Sequence, residues 1–275
     1  MDKTRITAAI WPWGTETRAQ MEQAATDITE IGYTCFESVK SAIYAFDLDL
    51  QAYKEVLARY GLTVQSFYYH LPTQEHIDTF FRDLDKEFSF IAELGVRRIC
   101  LQATNGRPAV MTRESLDDHL NLIGRFCEKA KNYGITPNLH NHYNTWVTYE
   151  DEIDYVMQNI SPDLLSFAPD TAHLVCGLCD PFEIMKRYVN RINFTHFKDI
   201  TDAENILSGS YEREGLAVYK NFCELGKGSI DFKPIFQLLI DHGYDGPLCE
   251  ELDTAPISNK ESARNNYQFL LEHYK

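Results

Sequence analysis

The chain has 275 residues, 44% of them hydrophobic, and a formal net charge of -15. That length and apolar share are ample for one large α/β domain over residues 1–275. The acidity is spread along the chain and repels nucleic acid and anionic membranes, so neither is expected as a partner. The 7 Cys are odd in number and scattered, unlike a secreted disulfide framework. No apolar stretch follows Met1–Arg5, and no run approaches the ~20 residues of a membrane helix. A cytoplasmic location is the expectation.

The predicted elements keep one rhythm: a short apolar or aromatic run, an amphipathic stretch, often a Gly stop, then the next run. Strand one is read over Ile6–Trp13, before a helix over Thr15–Ile31 that stops at Gly32. Strand two, Tyr33–Val39, precedes a helix over Leu50–Tyr60 and Gly61. Strand three, Leu62–His70, precedes Ile77–Leu94 and Gly95. Strand four, Val96–Ala103, precedes Arg113–Tyr133 and Gly134. Strands five to eight are read over Ile135–Tyr143, Leu164–Asp170, Ile192–Asp199 and Pro247–Asp253. Their helices are read over Glu150–Ile160, Pro181–Val189, Phe232–His242 and Asn259–Tyr274. Strands alternating with helices eight times over predict a closed (β/α)8 TIM barrel with a parallel eight-stranded sheet. The runner-up is an open doubly wound sheet, which the lack of a Gly-rich phosphate loop after strand one disfavours.

A barrel of this kind collects its chemistry at the C-terminal strand ends. Strand five ends in Asn138-Leu139-His140-Asn141-His142-Tyr143, and residues two apart on a strand share a face, as His140 and His142 do. Strand six ends at Asp170, with His173 just beyond. Strand seven carries His196 and Lys198 on one face, and strand eight carries Glu250 and Glu251. Strand three ends in Tyr68-Tyr69-His70, and strand two holds Glu37. Singly, each has a plain reading: a strand-end His hydrogen-bonds locally, and an Asp after a strand caps the next helix. Together, four successive strands deliver a His or carboxylate to the same end, and burying such groups unpaired is costly. A mixed nitrogen and oxygen set suits one divalent metal ion: Zn, Mn, Co or Fe, with Mg also open. Trp11, Trp13 and Tyr68 are aromatic residues near the same end, and ordinary barrel packing is their plain reading. Cys176-Gly177-Leu178-Cys179 is a single CxxC with no second pair to complete a zinc site.

Several stretches carry a resemblance over essentially the whole chain: His140-Asn141-His142, Pro169-Asp170-Thr171-Ala172-His173, Thr195-His196-Phe197-Lys198-Asp199, Leu225–Phe232 and Gly246–Glu251. In that order they resemble the sugar phosphate isomerase/epimerase superfamily, the xylose-isomerase-like TIM barrels, and most of all the inosose (2-keto-myo-inositol) dehydratases. The resemblance implies one metal held by His140, Asp170, His196 and Glu251. His140 departs from the Glu usual at its position, which disfavours a two-glutamate epimerisation while keeping a metal ligand. Only one of Glu250 and Glu251 can face inward, and the motif selects Glu251. His142, Lys198 and Glu251 are the expected catalytic groups; His173, Trp13, Tyr68, His70 and Glu37 are expected on the substrate side.

The resemblance implies a metal-dependent enzyme that abstracts a proton beside the carbonyl of a keto-sugar or keto-inositol. Reprotonation gives an epimer or isomer; loss of a β-hydroxyl gives a dehydrated product. Two other classes compete: an apurinic-site endonuclease, which the -15 charge disfavours, and a sugar-binding protein without catalysis. The expected partner is a small carbohydrate or cyclitol, and a homo-oligomer stays open.

Overall fold

The structure is a computed structural model that describes residues 2–209, 217–253 and 255–275. Its main sheet holds β1 (Ile6–Ala9), β2 (Cys35–Val39), β3 (Thr63–His70), β4 (Arg98–Gln102), β5 (Thr136–His140), β6 (Ser166–Phe167), β7 (His196–Phe197) and β8 (Leu248–Glu250). These pair in parallel in the order β6-β5-β4-β3-β2-β1-β8-β7. Parallel bridges from Phe167 to Ile192 and from Asp170 to His196 join the two outer strands and close the ring into a TIM barrel.

Eight helices surround it near their predicted places: Arg18–Ile31, Leu50–Tyr60, Ile77–Glu93, Arg113–Lys131, Glu150–Asn159, Pro181–Arg187, Phe232–Asp241 and Asn259–His273. The first two end on left-handed Gly32 and Gly61. No helix among the described residues is long and apolar enough to cross a membrane.

Strand alternation divides the side chains. Ile6, Ala8, Phe36, Phe67, Tyr69, Ile99, Leu101, Leu139, Phe167, Phe197 and Leu248 join the main core, under the helices. Ala9, Tyr68, Cys100, Ala168, Phe194 and Cys249 form a separate cluster inside the barrel. On this inward parity lie Glu37, His140, His196 and Lys198, all buried.

The first strand is shorter than predicted. It stops at Ala9, and Trp11–Trp13 form a 3-10 turn. Pro12 has no N–H for a ladder and breaks the two-residue alternation. Pro169 likewise supplies a carbonyl to His196 N at 2.9 Å but no donor, so β6 and β7 pair over short stretches. The structure adds helices at Lys40–Ala45, Thr171–Cys176 and Ala203–Leu207 and a two-stranded antiparallel pair, Asp199–Ile200 with Phe222–Cys223. Cys176 and Cys179, the CxxC pair, are both buried.

Candidate metal centre

β5, the β6 end, β7 and the β8 end each deliver one side chain to a common point. His140, Asp170, His196 and Glu251 each offer a ligand atom, and those atoms lie within 4.8 Å of one another. All four are buried. His140 Nδ1 lies 2.9 Å from His196 Nδ1, and His196 Nδ1 lies 3.2 Å from Glu251 Oε2. Three atoms of the set find no hydrogen-bond partner among the described residues: His140 Nε2, Asp170 Oδ2 and Glu251 Oε2. Buried polar atoms are rarely left so, and a cation bound at the cluster would satisfy all three. The donor set therefore fits a divalent metal ion, two nitrogens and two carboxylates.

Local contacts hold each ligand in place. Asp170 divides its oxygens: Oδ1 accepts the His173 N–H at 2.7 Å and caps the helix Thr171–Cys176, while Oδ2 is left for the cluster. Capping, one reading of the sequence, thus leaves the second oxygen of the same carboxylate open to a ligand role. Asn141, between the two histidines, clasps the Asp170 backbone, accepting its N–H at 3.0 Å and donating to its carbonyl at 3.2 Å. Thr171 Oγ1 donates to the Lys198 carbonyl at 2.6 Å and accepts the Lys198 N–H at 3.0 Å, tying the β7 end to the β6 end.

The parity of β8 resolves the two glutamates. Glu250 turns outward to Tyr33 Oη at 3.1 Å and Asn266 Nδ2 at 2.7 Å. Burial raises its carboxyl to about 8, against those two donors. Glu251 turns inward to His196 and Lys198.

Glu37, expected on the substrate side, lies elsewhere: it is fully buried and hydrogen-bonded to His196 Nε2. It thereby fixes the ring so that Nδ1 faces the cluster, the arrangement in which a carboxylate orients a metal-binding imidazole. Burial opposes a charge on His196, but Glu37 and Glu251 outweigh it and hold the imidazole up at about 9. Asp170 is pushed up by burial and then by Glu251, against the pull of Lys198 and His196. Cys100 and Cys249 also lie close, but burial keeps both thiols protonated, which makes them poorer ligands than the histidines and carboxylates.

Lys198 is fully buried, and its Nζ is surrounded: Glu251 Oε1 in close contact, Asp253 Oδ2 at 3.0 Å, His173 Nε2 at 3.2 Å and Asp170 Oδ2 at 3.5 Å. Burial works against this ammonium, yet Asp170, Asp253 and Glu251 keep its pKa well above the usual lysine value. Asp253 was missed in the sequence, although it stands two residues after Glu251 and so on the same face.

His142 is half-buried and stacks on the fully buried His173, with ring centroids 3.8 Å apart. Its Nδ1 lies 2.9 Å from the Tyr143 carbonyl, which makes Nδ1 the N–H and leaves Nε2 with its lone pair. Burial first, then the Lys198 ammonium, hold it down at about 3, so it is neutral at pH 7. His173, expected beside the substrate, is engaged by protein: Nδ1 faces Tyr143 N at 3.4 Å and Nε2 faces Lys198.

Trp11 packs on Tyr68 at 5.2 Å and on His196 at 5.8 Å, making a wall of the site. Tyr68 reaches within 5.2 Å of His140 and donates to Gln102 Oε1 at 2.5 Å. His70 sits exposed beside Tyr68 at 5.1 Å. Trp13 corrects the expectation. Carried round by the turn at Pro12, it donates its indole N–H to Asp27 Oδ2 at 2.9 Å and packs on the main core.

Residues 25–273 match the family described as the xylose isomerase-like TIM barrel. An inosose dehydratase of Geobacillus kaustophilus is 28% identical over 255 residues, 86% of this chain and 80% of that protein. The fold is shared with the IolI protein solved with a zinc atom, at a TM-score of 0.78 and 13% identity over 98% of each chain. It is shared too with an L-ribulose 3-epimerase, at a TM-score of 0.77 and 17% identity over 98% of this chain and 94% of that one.

Proposed function

The chain belongs to the xylose isomerase-like TIM barrel family, and on that footing we propose that it removes the proton beside a carbonyl of a keto-sugar or keto-inositol, with one divalent metal ion held by His140, Asp170, His196 and Glu251. The observation that carries this reading is the convergence of those four buried side chains, three of them with an atom left unsatisfied. When bound, the metal would supply a Lewis acid that polarises the carbonyl.

The remaining chemistry falls to the chain's own groups. His142 is the proton acceptor, because it is neutral and its Nε2 keeps the lone pair. Lys198 is the proton donor and electrostatic partner, because it stays an ammonium at neutral pH. Glu251 touches both Lys198 and the metal-ligand set, which couples the donor to the centre. Trp11 and Tyr68 offer a flat apolar surface to one face of a sugar or cyclitol ring, and His70 a polar group at its edge. If the proton returns to carbon, the product is an epimer or isomer.

A second reading, in which water leaves from the next carbon, is favoured by one observation beyond the inosose dehydratase relative. Lys198 holds a proton that a departing hydroxyl requires, and it contacts His173, against which the base His142 packs. Proton NMR in D2O on metal-loaded protein, with a panel of keto-inositols and keto-sugars, tests both. Deuterium entering the carbon beside the carbonyl is expected, alone for isomerisation or with a new vinylic signal for dehydration. Exchange should fall by about 10²–10⁴ in His142→Gln. No exchange on any compound would contradict the proposal.

A further inference from the structure

Beside the four-residue set lies a second one that shares a member with it. His173, Glu251 and Asp253 also bring ligand atoms within 4.8 Å of one another. Glu251 serves the two sets with different oxygens, Oε2 toward His196 and Oε1 toward Lys198. A carboxylate placed so is what two neighbouring cations share in two-metal sites. The second position is already filled. Lys198 Nζ touches Glu251, Asp253 at 3.0 Å and His173 at 3.2 Å, all three members of that set, and lies 3.5 Å from Asp170 of the first.

We propose that the Lys198 ammonium occupies the place of a second metal ion, and that this residue alone keeps the centre to one. The inference deepens the reading of the site as a single-metal centre and rests on it. Three features support the substitution. The side chain enters along β7, from the interior, and is fully buried, so no solvent competes for its three donors. Its neighbours are nitrogen and carboxylate oxygen atoms, the types that bind Zn or Mn. The carboxylates facing it outnumber it: Asp170, Glu251 and Asp253 surround one ammonium. A covalently attached cation needs no loading, and unlike a metal ion it carries a proton that it can give up.

The test is a metal count on three proteins, wild type, Lys198→Ala and Lys198→Ser, each equilibrated with excess Mn2+, freed of loose metal and analysed for bound ions per folded chain. The serine variant keeps a polar group for the carboxylates should the alanine variant fail to fold, and folding is checked by circular dichroism. Wild type is expected to hold about one ion and either variant about two, with the paired ions giving a spin-coupled electron paramagnetic resonance signal, since sites of this kind place ions about 3.5–4 Å apart. Adding Asp253→Asn to the variant should return the count to about one and abolish that signal. One ion in wild type and one in a folded variant would overturn the inference and leave the single-metal reading standing. No ion in wild type would overturn that reading, and the inference with it.

Discussion

His140 and His196, delivered from β5 and β7, meet with their Nδ1 atoms 2.9 Å apart. Two imidazole nitrogens this close share a proton, and His196, held up at about 9 by its carboxylate neighbours, is the ring that carries it. His196 Nδ1 needs its lone pair to face a cation, so loading must expel that proton. At pH 7.5 metal uptake should release about one proton per ion, read as the dependence of binding heat on buffer ionisation. Uptake with no proton release would contradict this arrangement.

Glu37 acts on the centre through His196, since its carboxylate bonds to Nε2 and sets the ring. Removing its charge in Glu37→Gln should weaken metal affinity by about 10–100-fold, the usual cost of losing such a partner. The measurement is a competitive titration against a chromophoric chelator, with thermal unfolding of the metal-free protein as the control. Unchanged affinity would assign Glu37 a packing role only.

Much of this site was legible from strand parity. His140, His196, Lys198 and Glu251 share the inward face because their spacing along the strands dictates it. The barrel itself follows from eight apolar runs separated by amphipathic helices with Gly stops. What the sequence hid depends on contacts across the ring. Glu37 and His196 are 159 residues apart, and nothing local announces their bond. Trp13 was misplaced because Pro12 turns the chain before the alternation reaches it. Asp253 was overlooked although it closes the predicted eighth strand and its parity with Glu251 pointed inward.

The Gly226–Ile230 loop is bound through Asp199 to the short strand Asp199–Ile200. That carboxylate accepts N–H groups from Gly226 and Gly228, both at 3.0 Å, and from Ile230 at 3.2 Å. A Cβ on Gly228 would come 2.3 Å from Asp199 Oδ1 and 2.6 Å from the Ile200 carbonyl. Gly228→Ala should therefore cost about 1–3 kcal/mol, measured by urea unfolding. A variant as stable as wild type would show that the loop shifts freely.

His119 sets a pH limit on stability away from the metal ligands. It stacks on Trp146 at 5.2 Å, and its Nε2 accepts the Thr104 N–H at 3.4 Å, so the folded state requires the neutral ring. Burial lowers its pKa from 6.5 to about 4. A depressed histidine leaves stability intact above the unfolded pKa, and stability is lost as pH falls from 6.5 toward 4. By pH 5 the loss should be about 2 kcal/mol, from roughly 1.5 pH units at 1.36 kcal/mol each. His119→Gln, which does not titrate, should lack this part of the acid slope. Equal slopes for the two proteins between pH 7.5 and 5 would contradict it.

The most direct measurement is elemental analysis of the purified protein beside His196→Ala, both reconstituted with divalent metal. About one Zn, Mn, Co, Fe or Mg per chain in wild type is predicted, by the stoichiometry of single-metal catalytic sites, with the ion lost in the variant. No metal in either protein, or equal metal in both, would contradict a centre built on His140, Asp170, His196 and Glu251.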